Sequence, residues 1–439
     1  MAEEKMKIEI IRTETIKPSS LTPLHLKMYK LSFLDQLSPP IYGRVIYFYP
    51  QSDAARVPEQ RTQKLKKSLS ESLSCFYPMA GRINDNTFVE CSDEGAPFVE
   101  ARCNGLLSTF LQNPADLSLL QLLLPTKVES PEAGTWPLMQ VQATFFDRGE
   151  LAVGISTSHK LTDAASMALL MTSWAKTSIG SDQTVVPVFD AASYFPQRDL
   201  SHFKLPPMEM NKLECVTKRF VFDKSRVVDL KAKAASGDAK PPTRSQAVTA
   251  LISKCVMAAS RSNSGVAKKF FLTQAMSLRK RAEPPLPENL FGNVLTFVSV
   301  EVNENHEAEL KTLVADLRKG IEDFTVNKAI KLREDDASEV IFQDLKEAGE
   351  LMGRDDRDGL IVSSFCNFQL YETVDFGWGK PIWVTIPVST GRSNFLTLMD
   401  TKEGGVEAWV TLNKNDMALF ESDPELLEFA YPSTQISIV

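Results

Sequence analysis

The sequence predicts an α/β chain of more than one domain, and three observations carry that expectation. Helical and strand-like hydrophobic patterns are intermixed along the whole length instead of segregating into blocks. At 439 residues and 48.9 kDa the chain is longer than an ordinary domain of about 100–200 residues, so two or three are expected. Between Gly180 and Cys215 the prolines Pro187, Pro196, Pro206 and Pro207 interrupt every regular pattern, which marks a boundary.

The elements follow in order. The N-terminus, Met1-Ala2-Glu3-Glu4-Lys5-Met6-Lys7, carries charges where a secretory signal needs an apolar core, and no apolar run approaches the ~18 residues that span a bilayer. A cytoplasmic protein without a membrane span is therefore expected. Leu65, Leu69, Leu73 and Phe76 form a helical face. Leu151, Val153, Ile155 and Thr157 alternate as one face of a strand, and His159 continues that row into a turn. Asp163 suits the N-cap of a helix through Ala164, Met167, Leu170, Met171 and Trp174.

The proline-rich stretch reads as an ordered crossover, with residues 196–215 linking an N-terminal domain, 1–195, to a C-terminal one, 216–439. A second break, Ser236-Gly237-Asp238-Ala239-Lys240-Pro241-Pro242, precedes a helix at Ser245 that turns Val248, Leu251, Ile252, Cys255, Val256 and Ala259 inward. Phe270 to Leu278 and Val294 to Val302 read as strands, separated by the rigid loop Glu283-Pro284-Pro285-Leu286-Pro287. Leu310, Leu313, Val314, Leu317, Ile321 and Phe324 make a third helical face, and Ala408 to Leu412 a last strand. All three helical stripes are read as core faces.

Composition narrows function. Against 56 acidic residues stand 49 basic ones, a net charge of -7, which argues against a nucleic-acid or anionic-membrane surface while leaving room for a local basic patch. The six cysteines, Cys75, Cys91, Cys103, Cys215, Cys255 and Cys366, are dispersed with no Cys-x-x-Cys pair and no histidine at ligand spacing. Neither disulfides nor a metal are implied.

Four histidines occur in the chain, and His159 is the best placed for chemistry, at the end of an apolar strand. Such a residue is suited to general base work, although a core histidine bonded to a backbone carbonyl is the competing reading. Asp163, four positions on at a helix start, need not face the imidazole. The string Asp375-Phe376-Gly377-Trp378-Gly379 offers two glycines for a tight turn and two aromatics for a core. Lys231, Lys233, Lys240, Thr243, Arg244 and Ser245 place cations beside a helix start, where phosphates are favoured; a solvated basic face competes. Glycine-rich nucleotide loops are absent, so ATP is not suggested. No Gly-x-Ser-x-Gly elbow occurs, which disfavours the common serine hydrolase.

His159-x-x-x-Asp163 followed by Asp375-Phe376-Gly377-Trp378-Gly379 resembles the motif pair of the plant BAHD acyl-CoA-dependent acyltransferases. The resemblance extends over nearly the whole chain, through Pro18 to Pro23, Leu31-Ser32-Phe33-Leu34-Asp35-Gln36, Phe76 to Arg82, Gln274 to Arg279, Gly292-Asn293 and Gly405 to Val410. The branch most resembled is that of vinorine synthase-like and alcohol acetyltransferases. Resemblance implies two similarly folded mixed-sheet domains, chloramphenicol acetyltransferase-like, with a solvent tunnel between them and a segment near 378–400 crossing back to the first domain.

It implies acyl transfer, most plausibly acetyl from acetyl-CoA, to a hydroxyl of a specialised metabolite such as an alkaloid, terpenoid or aliphatic alcohol, within a ternary complex and with His159 as base. An N-acyltransferase, a volatile-ester alcohol acyltransferase or a non-catalytic ligand-binding relative are the alternatives. The same resemblance makes Asp163 the partner of Arg279, makes Asp375, Gly377, Trp378 and Gly379 architectural, and puts CoA near Lys240, Thr243, Arg244 and Ser245. A monomer binding acyl-CoA and a small-molecule acceptor, without metal, is implied. Two departures from the family pattern, Ser277 in place of Asn and Phe365 in place of Trp, bear on acceptor shape.

Overall fold

A computed structural model describes residues 6–51, 58–125, 136–183, 185–200, 214–236, 240–302, 309–327, 339–344, 346, 357–387, 394–432 and 436. Two mixed sheets carry the chain. The first runs in the order Ile8–Ile16, Ala96–Cys103, Met139–Phe145, Leu151–Ser158, Tyr42–Tyr49, Trp383–Thr385. One neighbour pair in it is parallel, Ala96–Cys103 with Met139–Phe145, and the others are antiparallel. The second runs Leu295–Val302, Lys269–Ser277, Arg357–Ser364, Phe395–Asp400, Val406–Asn413, Cys215–Phe222, Tyr431–Pro432. Here the two pairs flanking Arg357–Ser364 are parallel.

The helical stripes read from sequence are core faces. Leu65, Leu69 and Leu73 of helix Pro58–Cys75 are buried with Leu170, Met171 and Trp174 of helix Ala164–Ser178 against Val153 and Ile155. Helix Arg244–Ser264 buries Val248, Leu251, Ile252, Cys255 and Val256 against the second sheet, beside Leu310, Leu313, Val314 and Leu317 of helix Leu310–Asn327. Each apolar residue removed from water contributes in proportion to its area, and the 3.6-residue period is what lets one face do this. No helix among the described residues is long and apolar enough to cross a membrane.

Strand Leu151–Ser158 is covered on both faces, because all eight of its residues are buried. Its second face is covered as tightly as its first: a Cβ added to Gly154 would stand 2.0 Å from the Leu123 carbonyl oxygen. Only glycine allows the backbones to approach that closely.

The two sheets are joined by more than linkers. Trp383–Thr385 comes from the C-terminal half and pairs antiparallel with Tyr42–Tyr49, setting Trp383 opposite Phe48 and Thr385 opposite Ile46. From this strand Trp383 Nε1 donates to Glu407 Oε2 at 3.2 Å, across to the second sheet. Glu407 also accepts from Trp409 Nε1 at 2.7 Å and pairs with Arg219 at 2.6 Å. Carboxylate, guanidinium and both indoles are buried, so the charges compensate each other where water does not. Most of the crossover expected at 196–215 lies outside the described residues, as do residues 388–393 of the segment near 378–400.

Candidate active site

His159 lies one residue past the end of a strand in the interior of the first sheet. Its backbone N–H donates to the Ile41 carbonyl at 2.8 Å, and its carbonyl accepts from Asn293 Nδ2 at 2.7 Å. The turn after it is closed by Leu161 N–H and Thr162 N–H, both donating to the Ser158 carbonyl at 3.1 Å. The imidazole is half-buried, and its Nδ1 has no hydrogen-bond partner among the described residues. No backbone carbonyl among the described residues holds that nitrogen, which is itself buried.

Asp163 faces away from this ring. It is the N-cap of helix Ala164–Ser178, accepting from Ser166 N–H at 2.8 Å as the sequence pattern predicts. Arg279 also holds the carboxylate, in a two-pronged contact of 2.7 Å (Nη1 to Oδ2) and 3.1 Å (Nη2 to Oδ1). Arg279 is 4% exposed and spends its remaining donors on the Leu290 and Gly292 carbonyls and the Ser166 hydroxyl. Burial would raise the Asp163 carboxyl, but the guanidinium, with the Ser166 and Val294 amides, holds it below the ordinary carboxylate range.

Residues 292–294 are stitched to the N-terminal half through three consecutive amides. Gly292 N–H donates to Ser166 Oγ at 3.0 Å, Asn293 N–H to Asp35 Oδ1 at 2.7 Å and Val294 N–H to Asp163 Oδ2 at 3.0 Å. Gly292 has φ +131°, and a Cβ there would stand 3.3 Å from Ala191 Cβ and 3.4 Å from Asp35 Oδ2. The positive φ is what calls for glycine, and the space for a Cβ is tight without being closed. Asp35 and Lys160, which sequence patterns gave no role, are both buried beside His159. Burial brings the Lys160 ammonium down to about 8, offset in part by Asp35.

Asp375-Phe376-Gly377-Trp378-Gly379 is a loop closed on itself by the Asp375 carboxylate. Asp375 Oδ1 accepts from Gly377 N–H at 2.7 Å and Gly379 N–H at 3.0 Å, while both glycines sit at positive φ, +97° and +104°. Phe376 packs edge-on to Trp174 at 4.8 Å and stacks on Trp378, over which Arg61 lies at 4.6 Å. Nothing in these contacts joins Asp375 to His159.

The basic group near helix Arg244–Ser264 is less free than its sequence suggests. Thr243 caps the helix, its hydroxyl accepting from Gln246 N–H and its own N–H donating to Gln246 Oε1. Arg244 turns inward, donating to Asp400 Oδ1 at 2.8 Å, Gly404 O at 2.9 Å and Asn367 Oδ1 at 3.2 Å. Lys233 is paired with Glu428 and Glu425 at 2.9 and 3.3 Å. Ser245 is half-buried and Lys240 exposed.

This architecture has close relatives. A model described as the Transferase family matches residues 6–427. Vinorine synthase from Rauvolfia serpentina is 38% identical over 94% of this chain and 96% of its own. The chain is a BAHD acyltransferase. A limonoid 7-O-acetyltransferase from Citrus sinensis is 35% identical, covering 97% of this chain and 98% of that one. The crystal structure of vinorine synthase superposes on this BAHD acyltransferase with TM-score 0.84 at 36% identity, covering 98% and 100% of the two chains. An F. graminearum protein solved with ethyl coenzyme A shares the fold at 15% identity, TM-score 0.71, over 92% and 99%.

Proposed function

We propose that this acyltransferase moves an acetyl group from acetyl-CoA to a hydroxyl of a plant specialised metabolite, with His159 as general base. The observation that carries the reading is the half-buried imidazole whose backbone is fixed on both sides while its buried Nδ1 has no partner among the described residues. A neutral ring nitrogen takes the proton of the acceptor hydroxyl as its oxygen attacks the thioester carbonyl. The C–S bond then breaks, and the same proton passes to the departing thiolate, giving an ester and free CoA thiol. No covalent enzyme intermediate is needed.

Asp163 and Arg279 shape the site from behind; they do not take protons in this scheme. Acetyl as the group moved is favoured by relatives named as limonoid acetyltransferases from Melia azedarach and Citrus sinensis. The CoA phosphates are read at the start of helix Arg244–Ser264, where the N-terminal amides and Lys240 attract anions. Arg244, held by Asp400, serves there as a structural support. A cytoplasmic monomer working between its two sheet domains completes the reading.

The test is thiol release from acetyl-CoA against a panel of alkaloid, terpenoid and simple alcohols, with both substrates varied. Acceptor-dependent release with intersecting initial-velocity lines is expected. Parallel lines would replace the ternary complex by an acyl-enzyme, and acceptor-independent release would make the protein a thioester hydrolase.

A further inference from the structure

A buried polar cluster lies against the backbone of His159. The short helix Phe33–Leu37 has all five residues buried, and Ser32 and Asp35 cap its start reciprocally. Asp35 Oδ2 accepts from Ser32 N–H at 3.0 Å and Ser32 O–H at 2.7 Å. Asp35 Oδ1 accepts from Asn293 N–H at 2.7 Å and from Asn293 Nδ2 at 2.9 Å. The other hydrogen on Nδ2 goes to the His159 carbonyl. The His159 carbonyl has no proton to give, so the amide nitrogen and not the amide oxygen of Asn293 must face it, and the orientation of the amide is fixed by chemistry.

The same segment holds His159 from two further directions. Ile41, just beyond the helix, accepts from His159 N–H. Lys160 Nζ, on the next residue, donates to the Gln36 and Ser38 carbonyls at 2.8 and 2.9 Å, at the C-terminal end of the helix. Both peptide groups flanking the His159 Cα are therefore pinned, and rotation of either would swing the imidazole.

We propose that Asp35 and Asn293 are positioning residues, which fix the carbonyl of His159 and through it the place of the imidazole at the reacting atoms. The inference rests on the reading of His159 as the base. Neither residue touches substrate in this account. Their effect is on geometry, and a displacement of about 1 Å in a reacting group can cost on the order of 10²-fold in rate.

Four variants, Asn293→Ala, Asp35→Asn, Asp35→Ala and His159→Ala, are compared in kcat, in KM for acetyl-CoA and in the ¹⁵N-imidazole NMR spectrum, which contains only four histidines. Asn293→Ala is expected to lose about 10²-fold in kcat with KM near wild type, and to shift or broaden the His159 signal alone. Asp35→Asn, which keeps an oxygen for Asn293, should retain more activity than Asp35→Ala. If Asn293→Ala does not fold, the ordering of the two Asp35 variants and their His159 signals decides the matter. Wild-type kcat in a folded Asn293→Ala or Asp35→Ala, beside an inactive His159→Ala, overturns the positioning role and spares the base. An active His159→Ala overturns the base and the positioning role with it. A loss confined to KM, with the His159 signal unmoved, also overturns the proposal.

Discussion

Asp35 and Asp163 are both buried, and both accept from neighbouring amides of one segment, Asn293 N–H and Val294 N–H. They differ in what else holds them. Asp163 has the two-pronged Arg279 guanidinium, which keeps its carboxyl below the ordinary range against the pull of burial. Asp35 has the Ser32 and Asn293 donors and no arginine in contact among the described residues, and there burial wins and the carboxyl is raised. A buried carboxylate matched by a cation is a structural tie. One matched by neutral donors stabilises little and is useful for where it holds its partners, which is why Asp163 is read here as architecture and Asp35 as geometry.

The largest expected effect comes from breaking the matched pair. Arg279→Ala should cost about 3–5 kcal/mol of unfolding free energy in a denaturant titration, because Asp163 is left buried and unpaired. Replacing both partners with apolar residues should recover much of that loss. Asp35→Ala, which removes the carboxylate itself and leaves neutral donors unsatisfied, should cost less, about 1–3 kcal/mol; equal losses at the two sites would break the comparison. Gly292→Ala, with φ at +131° and Asp35 Oδ2 3.4 Å from the new Cβ, should cost about 1 kcal/mol or more by the same titration.

The pH dependence separates the pair by sign. Asp163, lowered in the folded state, contributes stability above its unfolded value of about 4 that is lost as pH falls through the folded one. Asp163→Asn should therefore show a flatter acid limb than wild type in melting temperature against pH. Asp35, raised in the folded state, acts oppositely: wild type should lose ground to Asp35→Asn as pH rises from about 4 toward the folded value. Asp375, half exposed and, among the described residues, hydrogen-bonded only to its own loop, is the control. Asp375→Ala should cost about 1 kcal/mol by the same denaturant titration.

Local pattern made one side of this comparison legible and left the other hidden. The N-cap at Asp163 follows from an apolar helix stripe beginning one residue later, and the three helical faces from 3.6-residue spacing. Arg279 as the partner of Asp163 needed family resemblance, since 116 residues separate them. Asp35 lies 258 residues from Asn293, and a five-residue buried helix is too short to show a period. Lys160 reads as an ordinary charged residue until its amino group is seen capping that helix. Arg244 misleads in the other direction, because a cation before a helix looks available for phosphate when its partners, Asp400, Asn367 and Gly404, are distant in sequence. Glu407, which joins the sheets through Trp383, leaves no local trace for the same reason.

Whether His159 removes the acceptor proton is tested most directly by the turnover number of His159→Ala with acetyl-CoA and a productive acceptor. A fall of about 10²–10⁴-fold in kcat, with the melting temperature held near wild type, is the predicted result. Turnover equal to wild type in the folded variant would contradict it.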